Sequence, residues 1–264
     1  MAGLAQGYVF KRIEKKYMLD NRQYEGLLQA IESHMAIDEY GLSKICNIYF
    51  DTEQDDLVRR SNEKPVYKEK LRLRSYGIPG PADKVYLEIK KKYEGIVYKR
   101  RISLTLAEAE DYLLRGIRPA KDSQILREID YFIQFYHPLP KLYLAYDRTA
   151  WFGKKDKDFR MTFDSGIRSR RTDLSLGFGD VATPLYDEDY HLLEIKAAGA
   201  YPLWLVNALS ELEIYPVSFS KYGTIYKKEL QESGVTQICD GLVAAKPAYG
   251  SMNNKGEQKV CLPV

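Results

Sequence analysis

Apolar residues recur every second position through much of the chain. In residues 68–76, KEKLRLRSY, the cations Lys68, Lys70, Arg72 and Arg74 fall two apart. An extended strand turns all of them to one side and leaves Leu71 and Leu73 on the other for a covering layer. The same period appears in residues 8–19, YVFKRIEKKYML, with Arg12, Glu14 and Lys16 opposite Ile13 and Tyr17. It appears again in residues 85–93, where Glu88 and Lys90 oppose Leu87 and Ile89, and in residues 96–104, which carry Lys99 and Arg101. GIPGPADK and Gly95 punctuate these segments, so residues 68–104 predict a meander. Further strands are expected over 45–51, 142–152, 159–164 and 191–197, and they bring Arg148, Arg160, Glu194 and Lys196.

Between the strands the period changes to that of a helix. Asp20 is placed to cap a helix that buries Tyr24, Leu27, Leu28, Ile31 and Met35. His34 then lies on that helix surface, without a second histidine or cysteine at metal spacing. Residues 52–60 predict a short polar helix or turn. Thr105 and Glu108 form a capping box for a helix that Gly116 can end, and residues 125–136 carry a second apolar stripe. A helix over 202–212 starts with Pro202 in its first turn. After Pro216 the sequence VSFSKYG places Lys221 on a strand or strand end. Beyond about residue 231 periodicity fades, which divides the chain into a domain over 1–230 and a flexible tail over 231–264.

The balance of 40 Lys and Arg against 37 Asp and Glu in 264 residues gives a net charge of +3. That is far from the general basicity of a nonspecific nucleic-acid binder, so a cationic site must arise by segregation. Cys46, Cys239 and Cys261 are odd in number and widely spaced, which fits a reducing cytoplasmic setting rather than a disulfide framework. No leader-type apolar segment opens the chain and no run reaches membrane length.

Segregation is what the strands offer. Their cationic faces carry Arg12, Lys16, Lys68, Lys70, Arg72, Arg74, Lys90, Lys99, Arg101, Arg148, Arg160, Lys196 and Lys221, interleaved chiefly with Glu14, Glu88 and Glu194. A solvated edge strand explains any one segment alone. A sheet closed on itself explains them together, because it gathers every second residue into one polar lumen with the helices outside. Like charges so gathered need a polyanion, and arginines at i and i+2 suit bidentate oxyanion recognition. A nucleic-acid groove is the rival; it calls for exposed aromatics among the cations, whereas most tyrosines here fit apolar faces or turns.

The segments FKRIEKKYML, NIYFDT, KEKLRLRSYG, YLEIKKKYEG with VYKRRISL, AYDRTAWF, FRMTFD, LLEIK and SFSKYG follow one another in the order found in a known family. The chain resembles the vacuolar transporter chaperone (VTC) polyphosphate polymerase domain in its stand-alone bacterial form, within the triphosphate tunnel superfamily. The resemblance implies an α+β fold: an antiparallel eight-stranded closed tunnel that binds ATP and moves its terminal phosphoryl group onto polyphosphate. It implies Lys16, Arg72, Arg74, Lys90, Lys99, Arg148, Arg160 and Lys221 as phosphate ligands and Glu194 as a metal ligand, with Glu14 beside it. Arg12, Lys70, Arg101 and Lys196 fall along the same path, and Tyr146 can orient phosphate through its hydroxyl. Carboxylate and phosphate oxygens favour Mg²⁺ or Mn²⁺ over zinc.

Two departures separate the chain from its relatives. Triphosphatases of the superfamily open with alternating glutamates, ExExK, where this chain has Arg12, Glu14 and Lys16, which favours chain handling over hydrolysis. Eukaryotic polymerases carry a lysine where this chain has Ser218. The sequence lacks the sensor domain and membrane helices of eukaryotic relatives, so any regulation or export would come from separate proteins, a membrane partner among the candidates. Three functions stay open: an ATP-dependent polyphosphate polymerase, a hydrolase of triphosphate or polyphosphate, and a catalytically silent polyphosphate-binding module; ATP and polyphosphate or pyrophosphate are the expected partners.

Overall fold

The computed structural model describes residues 13–186 and 189–234. In chain order the elements are β1 (Ile13–Leu19), α1 (Asn21–Ile31), β2 (Met35–Asp51), α2 (Asp56–Asn62), β3 (Tyr67–Tyr76), β4 (Lys84–Tyr93), β5 (Ile96–Thr105), α3 (Leu106–Arg115) and α4 (Gln124–Tyr136). They continue with β6 (Leu139–Gly153), β7 (Arg160–Arg170), β8 (Thr183–Pro184), β9 (His191–Ala197), α5 (Leu203–Glu211), β10 (Pro216–Val217) and α6 (Lys221–Glu232). The chain divides into two units at residue 226, and the first carries the ten strands found among the described residues. Of the second unit, residues 227–234 are described and begin with the last turns of α6. The rest of the expected tail lies outside the described residues, as do Arg12 and the start of the segment 8–19.

Helix boundaries follow the local chemistry. The Asp20 carboxylate accepts from the Gln23 backbone N–H at 2.7 Å while the Gln23 side chain accepts from the Asp20 N–H at 3.2 Å, a reciprocal cap worth about 1 kcal/mol. Thr105 and Glu108 repeat the arrangement on α3, which ends at Gly116 with φ 71°, a conformation that costs glycine least. Two expectations fail at α1. The helix stops at Ile31, so Met35 opens β2 instead of extending the helical stripe, and His34 sits in the turn, stacked on Trp204 at 4.3 Å. Pro202 caps α5 from outside its first turn.

The strands make one antiparallel sheet in the order β10-β1-β9-β7-β6-β2-β3-β4-β5, with β8 on β7. This path is open, which corrects the expected closed eight-stranded tunnel. One edge of β1 pairs with β9 and the other, at Lys16 and Tyr17, with the short β10. Strand β5 therefore ends the ladder with no hydrogen-bonded neighbour beyond it among the described residues. Eight of the strands are nevertheless seven residues or longer.

Apolar side chains on one face are covered in two places. Helices α3 and α4 pack Ala109, Tyr112, Leu126, Ile129 and Phe132 with Leu71, Leu73, Leu87 and Ile89. Helices α1 and α5 pack Leu27, Ile31 and Leu205 with Tyr17, Met161, Phe163, Leu193 and Ile195. A third cluster joins Ile45, Tyr49, Leu142, Leu144, Tyr146 and Leu192 to Val58 of α2 and Tyr222 and Ile225 of α6. These alternate with the residues of the helix-covered layers, so the face bearing Arg148 is partly apolar. Fully buried Asp51 anchors this cluster: its carboxylate accepts from the backbone N–H groups of Thr52, Leu57 and Val58 and from the Tyr222 hydroxyl at 3.1 Å.

Candidate functional site

Register fixes which charged residues share a row. On one flank Lys70, Lys90 and Lys99 lie side by side on β3, β4 and β5, and Arg72, Glu88 and Arg101 form the next row. On the other flank Lys16 of β1 faces Glu194 of β9, Glu14 faces Lys196, and Lys196 faces Arg160 of β7. Arg148 of β6 faces Asp164 of β7. Lys221 is not on a strand: it is the first residue of α6, because the ladder stops at Val217 and a helical turn follows.

Side chains build two charged knots from these rows. In the first, buried Glu88 receives Arg72 through Nε at 2.8 Å and Nη2 at 2.7 Å, and Lys99 Nζ lies 2.7 Å from its other oxygen. Burial raises the Glu88 pKa, but Arg72 and Lys99 outweigh it and bring the pKa down to about 2. Arg72 also donates to the Tyr49 hydroxyl at 3.1 Å.

The second knot centres on Asp164, which is inaccessible to solvent. It accepts a bidentate pair from Arg148 at 2.5 and 2.7 Å and a third bond from Lys221 Nζ at 2.5 Å. Glu194 adjoins it, 3.2 Å from Lys16 Nζ and 3.7 Å from both Lys221 Nζ and Arg148 Nη2. Burial would neutralise Glu194, but Lys221, Lys16, Arg148 and Lys196 hold its pKa well below the ordinary 4.5. The Tyr146 ring lies 4.4 Å from Lys221 Nζ and 5.2 Å from the Arg148 guanidinium. Burial raises the Tyr146 pKa, and Arg148, Arg74 and Lys221 together reverse that and lower it.

The flanks face one another. Lys70 Nζ donates to Ser220 Oγ at 3.1 Å, just before α6, and Lys16 Nζ donates to the Phe219 carbonyl at 3.2 Å. Burial together with Lys68, Lys90, Lys16 and Arg72 lowers the Lys70 pKa to about 7. Lys90 keeps contact with solvent, yet burial lowers its pKa against the pull of Glu14.

Three candidates stand apart. Arg160 is exposed and donates to the Lys157 carbonyl at 3.4 Å, Arg101 is exposed over the Tyr86 ring at 4.8 Å, and Lys68 reaches the Ser61 carbonyl at 3.0 Å. Asp164, Ser220 and Tyr49 are partners that the sequence reading omits. For Asp164 a signal exists, since it lies two periods beyond Arg160 on the same strand face.

Divalent metal has a partial fit. Among the described residues no group of three His, Cys, Asp or Glu side chains converges. Glu194 and Glu14 both approach Lys16 Nζ, at 3.2 and 3.9 Å. That donor set fits an ion bringing phosphate and water oxygens with it, as Mg²⁺ does, and not an all-protein cage. No helix among the described residues is long and apolar enough to cross a membrane.

The fold is an α+β domain whose antiparallel sheet carries rows of Lys and Arg interleaved with Glu14, Glu88, Asp164 and Glu194. The VTC domain family matches residues 11–229, and the chain belongs to that family. Among solved structures, a candidate adenylate cyclase of Bacillus halodurans shares the fold at a TM-score of 0.50, with 15% identity over 79% of this chain and 93% of its own. A candidate adenylyl cyclase of Hippeastrum, described as having a dominant triphosphatase activity, aligns at 0.49 with 15% identity, over 82% of this chain and 96% of its own. No curated protein matches the chain.

Proposed function

We propose that the chain is a polyphosphate polymerase that takes the γ-phosphoryl group of ATP onto a growing polyphosphate chain. Family membership supports a polyphosphate- or triphosphate-related phosphoryl-transfer activity. The observation that carries the reading is an excess of buried cation. Arg74 is 6% exposed, has no hydrogen-bond partner at Nε and has no carboxylate within ion-pair distance among the described residues. A desolvated guanidinium with no direct ion pair, sharing Glu88 at longer range with Arg72 and Lys99, is costly, and a phosphate oxyanion would supply the missing charge.

The chemistry asks for position and charge neutralisation more than for a protein nucleophile. Arg72, Arg74, Lys90 and Lys99 from one flank and Lys16, Arg148 and Lys221 from the other would grip the triphosphate. Lys70, Arg101, Arg160, Lys196 and Tyr146 would line the path of the chain. A terminal oxygen of polyphosphate attacks the γ-phosphorus, the bond to the bridging β–γ oxygen breaks, and ADP leaves. Glu194, with Glu14, would hold a Mn²⁺ or Mg²⁺ ion arriving with the nucleotide, and that ion would offset charge on the phosphate oxygens. Asp164 keeps Arg148 and Lys221 in place.

Hydrolysis is the second reading, supported by the two carboxylates Glu14 and Glu194 that survive beside the lysines. Incubating the protein with ATP and Mn²⁺ and resolving the products separates the two: long chains support polymerisation, and orthophosphate alone moves the assignment to a hydrolase. No turnover leaves a binding module.

Binding should be linked to proton uptake at Lys70. A polyanion beside this ammonium raises its pKa from about 7, so at pH 8 binding takes up a proton and affinity falls as pH rises from 7 to 9. Titrations of tripolyphosphate in buffers of different ionisation enthalpy check this; Lys70→Met should remove the linkage.

A further inference from the structure

The inward face of β3 runs Lys70, Arg72, Arg74 and then Tyr76, and in register with it β4 runs Lys90, Glu88 and Tyr86. The row of cations thus ends in two aromatic rings, 5.8 Å apart between centroids and nearly perpendicular at 86°. Each ring is flanked by an arginine: Arg74 lies 5.2 Å from the Tyr76 centroid and Arg101 4.8 Å from that of Tyr86. Tyr76 is nevertheless 55% exposed. The fold buries Arg74 with its Nε unpartnered and no carboxylate at ion-pair distance among the described residues, and beside it leaves an aromatic ring open to water.

We propose that Tyr76, with Tyr86 behind it, is the stacking platform for the base of a nucleoside triphosphate whose phosphates lie along Arg74 and Arg72. The proposal rests on the phosphate-binding reading above and adds where the nucleoside end of the donor sits. Inorganic polyphosphate would satisfy Arg74 and leave Tyr76 exposed, whereas a nucleotide satisfies both, being anionic at one end and a flat π-system at the other. The reach is suitable: the four steps from Arg72 to Tyr76 span about 13 Å of strand, a length that a triphosphate and a ribose cover. Opposed edge-on rings with adjacent guanidinium groups offer faces and no directed hydrogen-bond pattern, so the site should hold a purine by stacking and cation–π contact. The competing explanation is that the arginine–tyrosine contacts merely order the end of β3.

The experiment titrates ATP and, separately, tripolyphosphate into the full chain as wild type, Tyr76→Ala and Tyr76→Phe, with Mg²⁺ present. Stacking predicts that Tyr76→Ala weakens ATP about tenfold and leaves tripolyphosphate within about twofold, while Tyr76→Phe keeps ATP near wild type. Tripolyphosphate is the internal control for folding, since its binding requires the same strands. An equal loss for both ligands, or unchanged ATP affinity in Tyr76→Ala, overturns the platform and leaves phosphate binding intact. A wild-type protein that binds neither ligand overturns the phosphate-binding reading itself.

Discussion

Asp164→Asn is expected to destabilise the protein by about 3 kcal/mol and to stop turnover. The substitution preserves shape and removes the charge that Arg148 and Lys221 share, at a position with no solvent access. Breaking a buried pair by neutralising one partner costs about 3–5 kcal/mol, because the other charge stays desolvated. Glu194, 3.7 Å from both cations, takes up part of the load and sets the effect at the lower end. In thermal denaturation at pH 7 this corresponds to a fall of roughly 6–12 °C for a chain of this size. The same interaction gives an acid limb. Burial opposes ionisation of Asp164, but Lys221 and Arg148 bring its folded pKa below the ordinary 3.8. Its stabilisation is thus complete above about pH 4 and is lost as pH falls through the folded value. Wild-type stability should drop in that window and the Asn variant should show a shallower drop. A variant that melts with the wild type would mean that water or Glu194 already neutralises the two cations.

What the sequence disclosed depended on whether one residue or several decided the outcome. Asp20, Thr105 with Glu108, and Gly116 set their helix ends through contacts within a turn, so their roles were readable from spacing alone. The alternation in 68–76 is equally local, and β3 forms there with Leu71 and Leu73 under helices. Closure was not readable, since whether β5 meets β1 depends on what occupies the far edge of β1, and Pro216 and Val217 take it. In 142–152, LYLAYDRTAWF is apolar on both faces, which hid that Leu142, Leu144 and Tyr146 share the side of Arg148. Met35 falls four residues after Ile31 and so mimics a helical stripe that the turn at His34 interrupts. Lys221 follows a strand-like SFS but opens a helix. Asp164 sat at the end of the segment reading FRMTFD, where a carboxylate looks like a strand boundary. Its burial follows only from the tertiary meeting of β6, β7 and α6.

Glu194→Gln is expected to lower metal-dependent turnover by at least about a hundredfold, some 2.7 kcal/mol in transition-state stabilisation, while tripolyphosphate binds as tightly as before or more tightly. Glu194 is the carboxylate that its neighbours hold ionised, through Lys221, Lys16 and Arg148, and an amide oxygen in its place is a poorer ligand for a hard divalent ion. For a metal-free polyanion the sign reverses. Glutamine removes a negative charge 3.2 Å from Lys16 and 3.7 Å from Lys221 and Arg148, so those cations face the phosphate less neutralised. The fold should survive, because Asp164 still pairs with Arg148 and Lys221. Two measurements on one preparation decide the matter: ATP turnover as a function of Mn²⁺ concentration, and calorimetric titration of tripolyphosphate in the presence of a chelator. Near-normal turnover at saturating Mn²⁺ would remove Glu194 from the metal assignment. Loss of tripolyphosphate binding along with turnover would instead make it an organiser of the surrounding cations, with the metal held by the substrate alone.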